Sequence, residues 1–374
     1  MMIMKPCIET NDFSAQVAER IRLAREEASM TQDGFAKAFG CNDRQTVSAI
    51  ETGIRQVAPE EMLRIAKILA KPASFFTDPY VITERRAFSY RAKPNSPDIN
   101  AFERRAHKLI SANRRFRKLL GEPDVPFGSQ LKGMSKQTPL MAAAAAGERT
   151  AKSLNLGDPS AAKLREAVEE QLRVLVLFVD APESISGAAC HLHDGEFVLI
   201  NRNEPSFRRN FNLGHELFHI LTWNEMPPAR VDAIVQGDQR PKVEKLADNF
   251  SSGLLVPSDQ LKSRWATRQP NQDIHDWIIA AAKGFRVSGE ALYWRLINTG
   301  LLSKLERVDI NRLSRSDEDD QNGRPNRYSA RFVRQLHSVL DRGLVSVRKA
   351  ADLLECEPYD LTEIVSAYGF DPSF

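Results

Sequence analysis

The chain has 374 residues, 42% hydrophobic and 27% charged, with a formal net charge of +3. That length allows two or three domains with their own cores, in the composition of a soluble globular protein, and no run approaches the ~20 apolar residues that cross a bilayer. The start, MMIMKPCIET, lacks a secretory pattern, and Cys7, Cys41, Cys190 and Cys356 form no CxxC pair; a disulfide framework is excluded and a reducing cytoplasm expected.

In chain order, Val17, Ile21, Ala24 and Ala28 share one face of a predicted helix over 17–28. Thr31 is a suitable N-cap for a helix over 32–39, and Gly40 supplies its C-terminal turn. A third helix over 44–51 buries Val47 and Ile50 and turns Arg44, Gln45, Thr46 and Ser48 outward; Gly53 closes it, and a fourth helix begins at Pro59. Two short helices and a tight turn place the second helix in a DNA major groove. Arg reads guanine bidentately, Gln reads adenine, and Thr or Ser reaches a base edge or a phosphate. Gln32, at a helix N-terminus, is placed to offer an amide to a phosphate. The run MTQDGFAKAFG…RQTVSAIETG resembles the Cro/C1 (XRE) repressor-type helix-turn-helix over about 17–78, with one extra residue in the turn at Cys41, Asn42 and Asp43. That resemblance implies binding to a double-stranded DNA operator.

Residues 18–80 hold nine basic and nine acidic side chains, so DNA affinity leans on the basic block after them. In 81–120, eleven Lys/Arg face only Glu84, Asp98 and Glu103. This excess of eight reads as a phosphate-facing patch or a solvated linker helix. Residues 121–157, with Pro, Gly and an Ala tract, read as a mobile entry to the next domain and a candidate cleavage site. A helix over 159–171, a buried strand over 173–179 and a hairpin of strands 187–193 and 196–201 turning at Asp194-Gly195 come next. Helices are predicted at 206–223, 241–254, 258–267 and 273–285, then a disordered linker at 314–327 and a helical end at 328–370, with no internal repeat.

The segment Phe211-Asn-Leu-Gly-His215-Glu216-Leu-Phe-His219 contains HExxH. Helical positions i and i+4 share a face, so His215 and His219 can reach one Zn2+ ion while Glu216 stands beside it as a general base. A catalytic zinc takes a third protein ligand, and Glu244 and Asp248, four apart on the 241–254 helix, can both reach it, Glu244 being the better choice. The strand–hairpin–HELFH–ExLADxFSxxLLVP order resembles the ImmA/IrrE metallopeptidases over about 160–300. The resemblance assigns the third ligand to Glu244 and a supporting role to Asp248. Gly214 and Ser251 stand where that family commonly has Ala. Cys190-His191-Leu192-His193 is better explained as an exposed hairpin than as a second metal site. Arg208 and Arg209 read as solvated flanks, or as oxyanion stabilisers.

The expected protein is multidomain. An all-α XRE-type helix-turn-helix domain spans 14–80, a basic helical linker 81–157, an α+β zincin-like metallopeptidase domain 158–305, and a small all-α C-terminal segment 328–374. The expected function is that of a cytoplasmic, homodimeric transcriptional regulator. Its zinc endopeptidase, a hydrolase, would cleave a partner regulator, another protein substrate or the chain itself. The alternatives are a repressor or antitoxin-like protein whose zinc domain is structural or sensory, and a peptidase that recruits a regulator through its helix-turn-helix.

Overall fold

The computed structural model describes residues 10–41, 43–78, 80–82, 88–92, 99–123, 131–228, 231–233, 241–303, 308–315 and 323–374. The chain divides into two units, Met1–Glu84 and Arg85–Phe374.

The first unit holds α1 (Thr10–Glu27), α2 (Gln32–Phe39), α3 (Arg44–Glu51), α4 (Pro59–Ile68) and α5 (Ala73–Thr77) around Ile21, Phe35, Val47, Ile50, Ile65 and Phe76. The Thr31 hydroxyl accepts from Gly34 N at 3.0 Å, and Gly40 is left-handed at φ 82° as it closes α2. The Asp43 carboxylate accepts from Thr46 N at 2.7 Å, so α3 begins at Arg44 despite the extra turn residue. Asn42 lies outside the described residues. Beneath the turn, Arg25 Nε meets Glu51 Oε1 at 2.5 Å, and Gln32 Nε2 donates to Glu51 Oε2 at 2.8 Å.

The second unit opens with β1 (Phe88–Ala92), α6 (Ile99–Leu120), α7 (Leu140–Ser153) and α8 (Leu164–Gln171). Next come β2 (Leu175–Val179), β3 (Ile185–Leu192), β4 (Gly195–Asn201), α9 (Ser206–Leu221), β5 (Val231–Ala233) and α10 (Lys242–Leu255). Among the described residues, seven further α-helices follow: α11 (Ser258–Ala266), α12 (Ile274–Phe285), α13 (Gly289–Asn298), α14 (Ile310–Arg315), α15 (Ala330–Asp341), α16 (Val347–Leu354) and α17 (Pro358–Ser366). The sheet order is β2-β4-β3-β1-β5, with β3 antiparallel to both β4 and β1, and β2 and β5 parallel to β4 and β1.

The central strands are buried on both faces, as a sheet between helical layers must be. Val176, Phe178, Ala189, Val198 and Ile200 join Leu213, Leu217 and Phe218 of α9 in one core. On the other face, Leu175 and Phe197 meet Asn113 of α6 and Arg331 of α15 around a small cavity. This is the α+β domain expected, with α13 and the strands β1 and β5 in addition.

Two expectations are overturned by this packing, and a third at one end only. The Ala tract of the 121–157 stretch, expected to be mobile, is α7, whose Ala143, Ala144, Ala146, Gly147 and Ala151 are buried. A Cβ on Gly147 would overlap the Phe250 carbonyl, and one on Gly253 the Ala144 carbonyl, so α7 and α10 touch backbone to backbone. Residues 124–130 lie outside the described residues. The basic block is not a bare phosphate-facing surface: Arg114 Nε pairs with Asp194 Oδ2 at 2.6 Å, Arg117 donates to Asp194 O at 2.7 Å, and Lys108 Nζ pairs with Glu355 Oε1 at 2.5 Å. Arg85, Arg86 and Lys93 lie outside the described residues. The tail of the 314–327 linker is placed as well, for Phe178 N on β2 donates to Arg327 O at 2.9 Å. Residues 316–322 are outside the described residues. The C-terminal helices pack on α6, with Phe116 and Phe332 ring centroids 5.8 Å apart and Asn113 Nδ2 donating to Gln335 Oε1 at 2.7 Å.

Candidate metal centre

Helix α9 is buried on every side from Asn212 to Leu221, and its Leu213, Leu217, Phe218, Ile220 and Leu221 carry His215, Glu216 and His219 into the interior, each no more than 1% exposed. Polar groups so placed are costly unless they have partners. Helix α10 supplies them: Glu244 in its first turn and Asp248 one turn later.

His215 Nε2 lies 3.1 Å from Glu244 Oε2, His219 Nε2 lies 3.2 Å from Glu244 Oε1, and the two Nε2 atoms are 3.2 Å apart. Two bonds of ~2.05 Å at a tetrahedral angle hold their ligand atoms about 3.3 Å apart. The two nitrogens and a carboxylate oxygen therefore fit a zinc ion, and they are the one such cluster among the described residues. Burial opposes ionisation of Glu244, but the charges and hydrogen bonds of His215 and His219 outweigh it and hold the carboxyl well below the usual carboxylate range. Asp248 Oδ1 stands 2.9 Å from His215 Nδ1, which turns Nε2 toward Glu244.

Glu216 stays off the ligand cluster and lies under β3, where a Cβ on Gly187 would come 3.6 Å from its Cγ. The fit of Gly214 against α10 is closer still: a Cβ there would stand 2.5 Å from Ser251 Oγ, whose hydroxyl donates to Phe211 O at 2.8 Å.

The His191 strand is not an exposed hairpin. Cys190 and Leu192 are buried, and His191 Nδ1 meets Glu196 Oε1 at 2.5 Å. Burial pushes the Glu196 carboxyl up to about 7 against the opposing pull of His191. Sequence reasoning missed this pair: a turn at Asp194-Gly195 would set 193 opposite 196, whereas the two turn residues are His193 and Asp194, which sets 191 opposite 196. Arg209 is no solvated flank either: it is buried and donates to the carbonyls of Arg202 and Glu204.

On α3 of the first unit, Arg44 and Gln45 are exposed and Thr46 and Ser48 half-buried, while Val47 and Ile50 face the core. Arg44 Nε donates to Gln32 Oε1 at 2.8 Å, so these two residues act as one polar cluster at the turn.

Comparison with known proteins shows the same division. The family profile described as "IrrE N-terminal-like domain", a peptidase family, matches residues 169–296, and the profile described as "Helix-turn-helix" matches residues 21–76. No curated protein compared with the chain matches it. Among solved structures, Bacillus thuringiensis PlcR in complex with the peptide PapR7 and DNA is 12% identical, covering 95% of this chain and 97% of that one. Its TM-score of 0.17 carries no argument about fold or partner. The chain joins an XRE-type helix-turn-helix DNA-binding domain to an IrrE-like metallopeptidase-type domain in one polypeptide.

Proposed function

We propose that the chain is a cytoplasmic transcriptional regulator that binds an operator as a homodimer and cleaves a protein in trans, with zinc held by His215, His219 and Glu244. The observation that carries this reading is a buried carboxylate, Glu216, next to a complete two-histidine, one-glutamate ligand set that does not need it. A purely structural zinc site has no use for such a neighbour. Zinc held by that set would supply Lewis acidity, which lowers the pKa of a water toward ~7 and polarises a carbonyl. Glu216 then takes the proton of the attacking water and returns it to the leaving amine. Asp248 keeps the His215 ring in its ligating orientation throughout. Cleavage of the chain's own Ala tract is not part of the proposal, because α7 is packed in the core. At the other end, Arg44, Gln45, Thr46 and Ser48 read bases or phosphates, with Gln32 at the α2 N-terminus.

The test is incubation of purified, zinc-loaded chain with the protein products of neighbouring genes, followed by mass spectrometry. The expected result is a new cut in one of them that Glu216→Gln abolishes while retaining its zinc. Fragments produced equally by Glu216→Gln would overturn the assignment.

A further inference from the structure

Strand β3 runs over Glu216 at Gly187, and the next strand in the sheet, β1, comes from residues 88–92, well before the matched span 169–296. It pairs antiparallel along most of β3, from Phe88 opposite Cys190 to Arg91 opposite Gly187. The ladder becomes irregular between Arg91 and Ala92, at the level of Glu216.

A protease acts on an extended backbone, and extended peptides are most readily held by completing a sheet edge. Distance decides which edge can serve. Neighbouring strands lie ~4.8 Å apart, so a peptide in the place of β1 is one spacing from β3, whereas a peptide added outside β5 is three spacings away, about 14 Å. The outer edge is too far from Glu216, and the near edge is filled. We propose, on the basis of the peptidase reading above, that β1 is the chain's own occupant of the substrate strand position, and that an extended substrate enters by displacing β1 from β3. The sequence suits a removable strand: β1 has five residues, and β5 covers only three of them. Strand β1 also begins only four residues beyond Glu84, the last residue of the first unit.

The test uses full-length, zinc-loaded chain carrying Glu216→Gln, so that its readouts do not depend on catalysis. The probe is a fluorescent peptide of residues 86–95, the β1 sequence with its flanks, monitored by anisotropy. Phe88→Cys places a thiol opposite the native Cys190, and in a chain with Cys7, Cys41 and Cys356 changed to Ser, oxidation ties β1 to β3. Tyr90→Ser removes a buried ring from β1 and is expected to bind the probe about tenfold more tightly than the parent. Oxidised Phe88→Cys is expected to lose probe binding, and reductant to restore it. Hydrogen exchange should show β1 amides opening when the probe binds, with β3 amides still protected. If Tyr90→Ser does not fold, the oxidised and reduced Phe88→Cys chains decide the matter alone. Equal binding to both, no binding to either, or β1 amides that stay protected in the bound state would each overturn the proposal. If these binding results hold but the chain with Glu216 intact cuts no protein, only the peptidase reading is overturned.

Discussion

Gly214 of α9 and Ser251 of α10 occupy one another's space: a Cβ at 214 would stand 2.5 Å from the Ser251 hydroxyl oxygen. The related family commonly places Ala at both positions, and here a smaller residue and a larger one offset each other. Gly214→Ala alone should destabilise the protein by about 1–3 kcal/mol, since overpacking forces the Ser251 hydroxyl off Phe211 O. Adding Ser251→Ala should recover most of that loss. Denaturant melts of the four chains give the coupling energy, and strictly additive effects would show that the two residues do not compensate.

His219→Ala and Glu244→Ala should bind no stoichiometric zinc, and Glu216→Gln should bind as much as the parent chain. Asp248→Ala should still load at high metal, but with an affinity lower by roughly 10–100-fold, because its carboxylate orients His215 without belonging to the ligand set. Chelator competition measures this. Unchanged affinity in Asp248→Ala would remove it from the site.

Glu196 gives the protein a pH dependence of stability. Its carboxyl, raised to about 7 in the fold, binds a proton more tightly there than in the unfolded chain, where it titrates near 4.5. Ionising it therefore costs stability progressively as pH rises from about 4.5 to about 7, by roughly 3 kcal/mol in all, and the cost is absent below that window. Glu196→Gln should melt higher than the parent at pH 8 and nearly together with it at pH 4.5. A difference of the same size at both pH values would rule this out.

In the DNA-binding unit, Arg25 and Glu51 form a buried ion pair shared with Gln32. Glu51→Ala leaves the guanidinium without its main partner and should cost about 3–5 kcal/mol of that unit's stability, measured by circular dichroism. Arg44→Ala, at the exposed end of the same cluster, should leave folding intact and weaken the preferred base pair by about 1–3 kcal/mol in competition binding. Equal losses on all DNA sequences would mark Arg44 as a phosphate contact instead.

Local signals were legible wherever one short segment carries its own chemistry. The Thr31 cap, the Gly40 turn and the apolar face of Val47 and Ile50 set α2 and α3 to the residue. The i, i+4 spacing of His215 and His219 needs only a helix; the hairpin itself was legible too, although its turn falls at His193-Asp194, one residue before the expected Asp194-Gly195. The Ala tract misled because a small-residue helix packed backbone to backbone has the same composition as a linker; Gly147 and Gly253 reveal their purpose only when α7 meets α10.

From its sequence alone, this protein is a helix-turn-helix joined to an HExxH domain, because capping, turn and ligand spacings act over a few residues. Tertiary structure decided what depends on distant partners. It brought Glu244 and Asp248 to the two histidines, and it turned Arg114 and Arg117 from an expected phosphate patch into anchors of the β3–β4 turn. It also laid β1 along β3 across nearly a hundred intervening residues. A five-residue strand carries almost no signal of its own, since its stability comes from the neighbour that completes its hydrogen bonds and covers Phe88 and Tyr90.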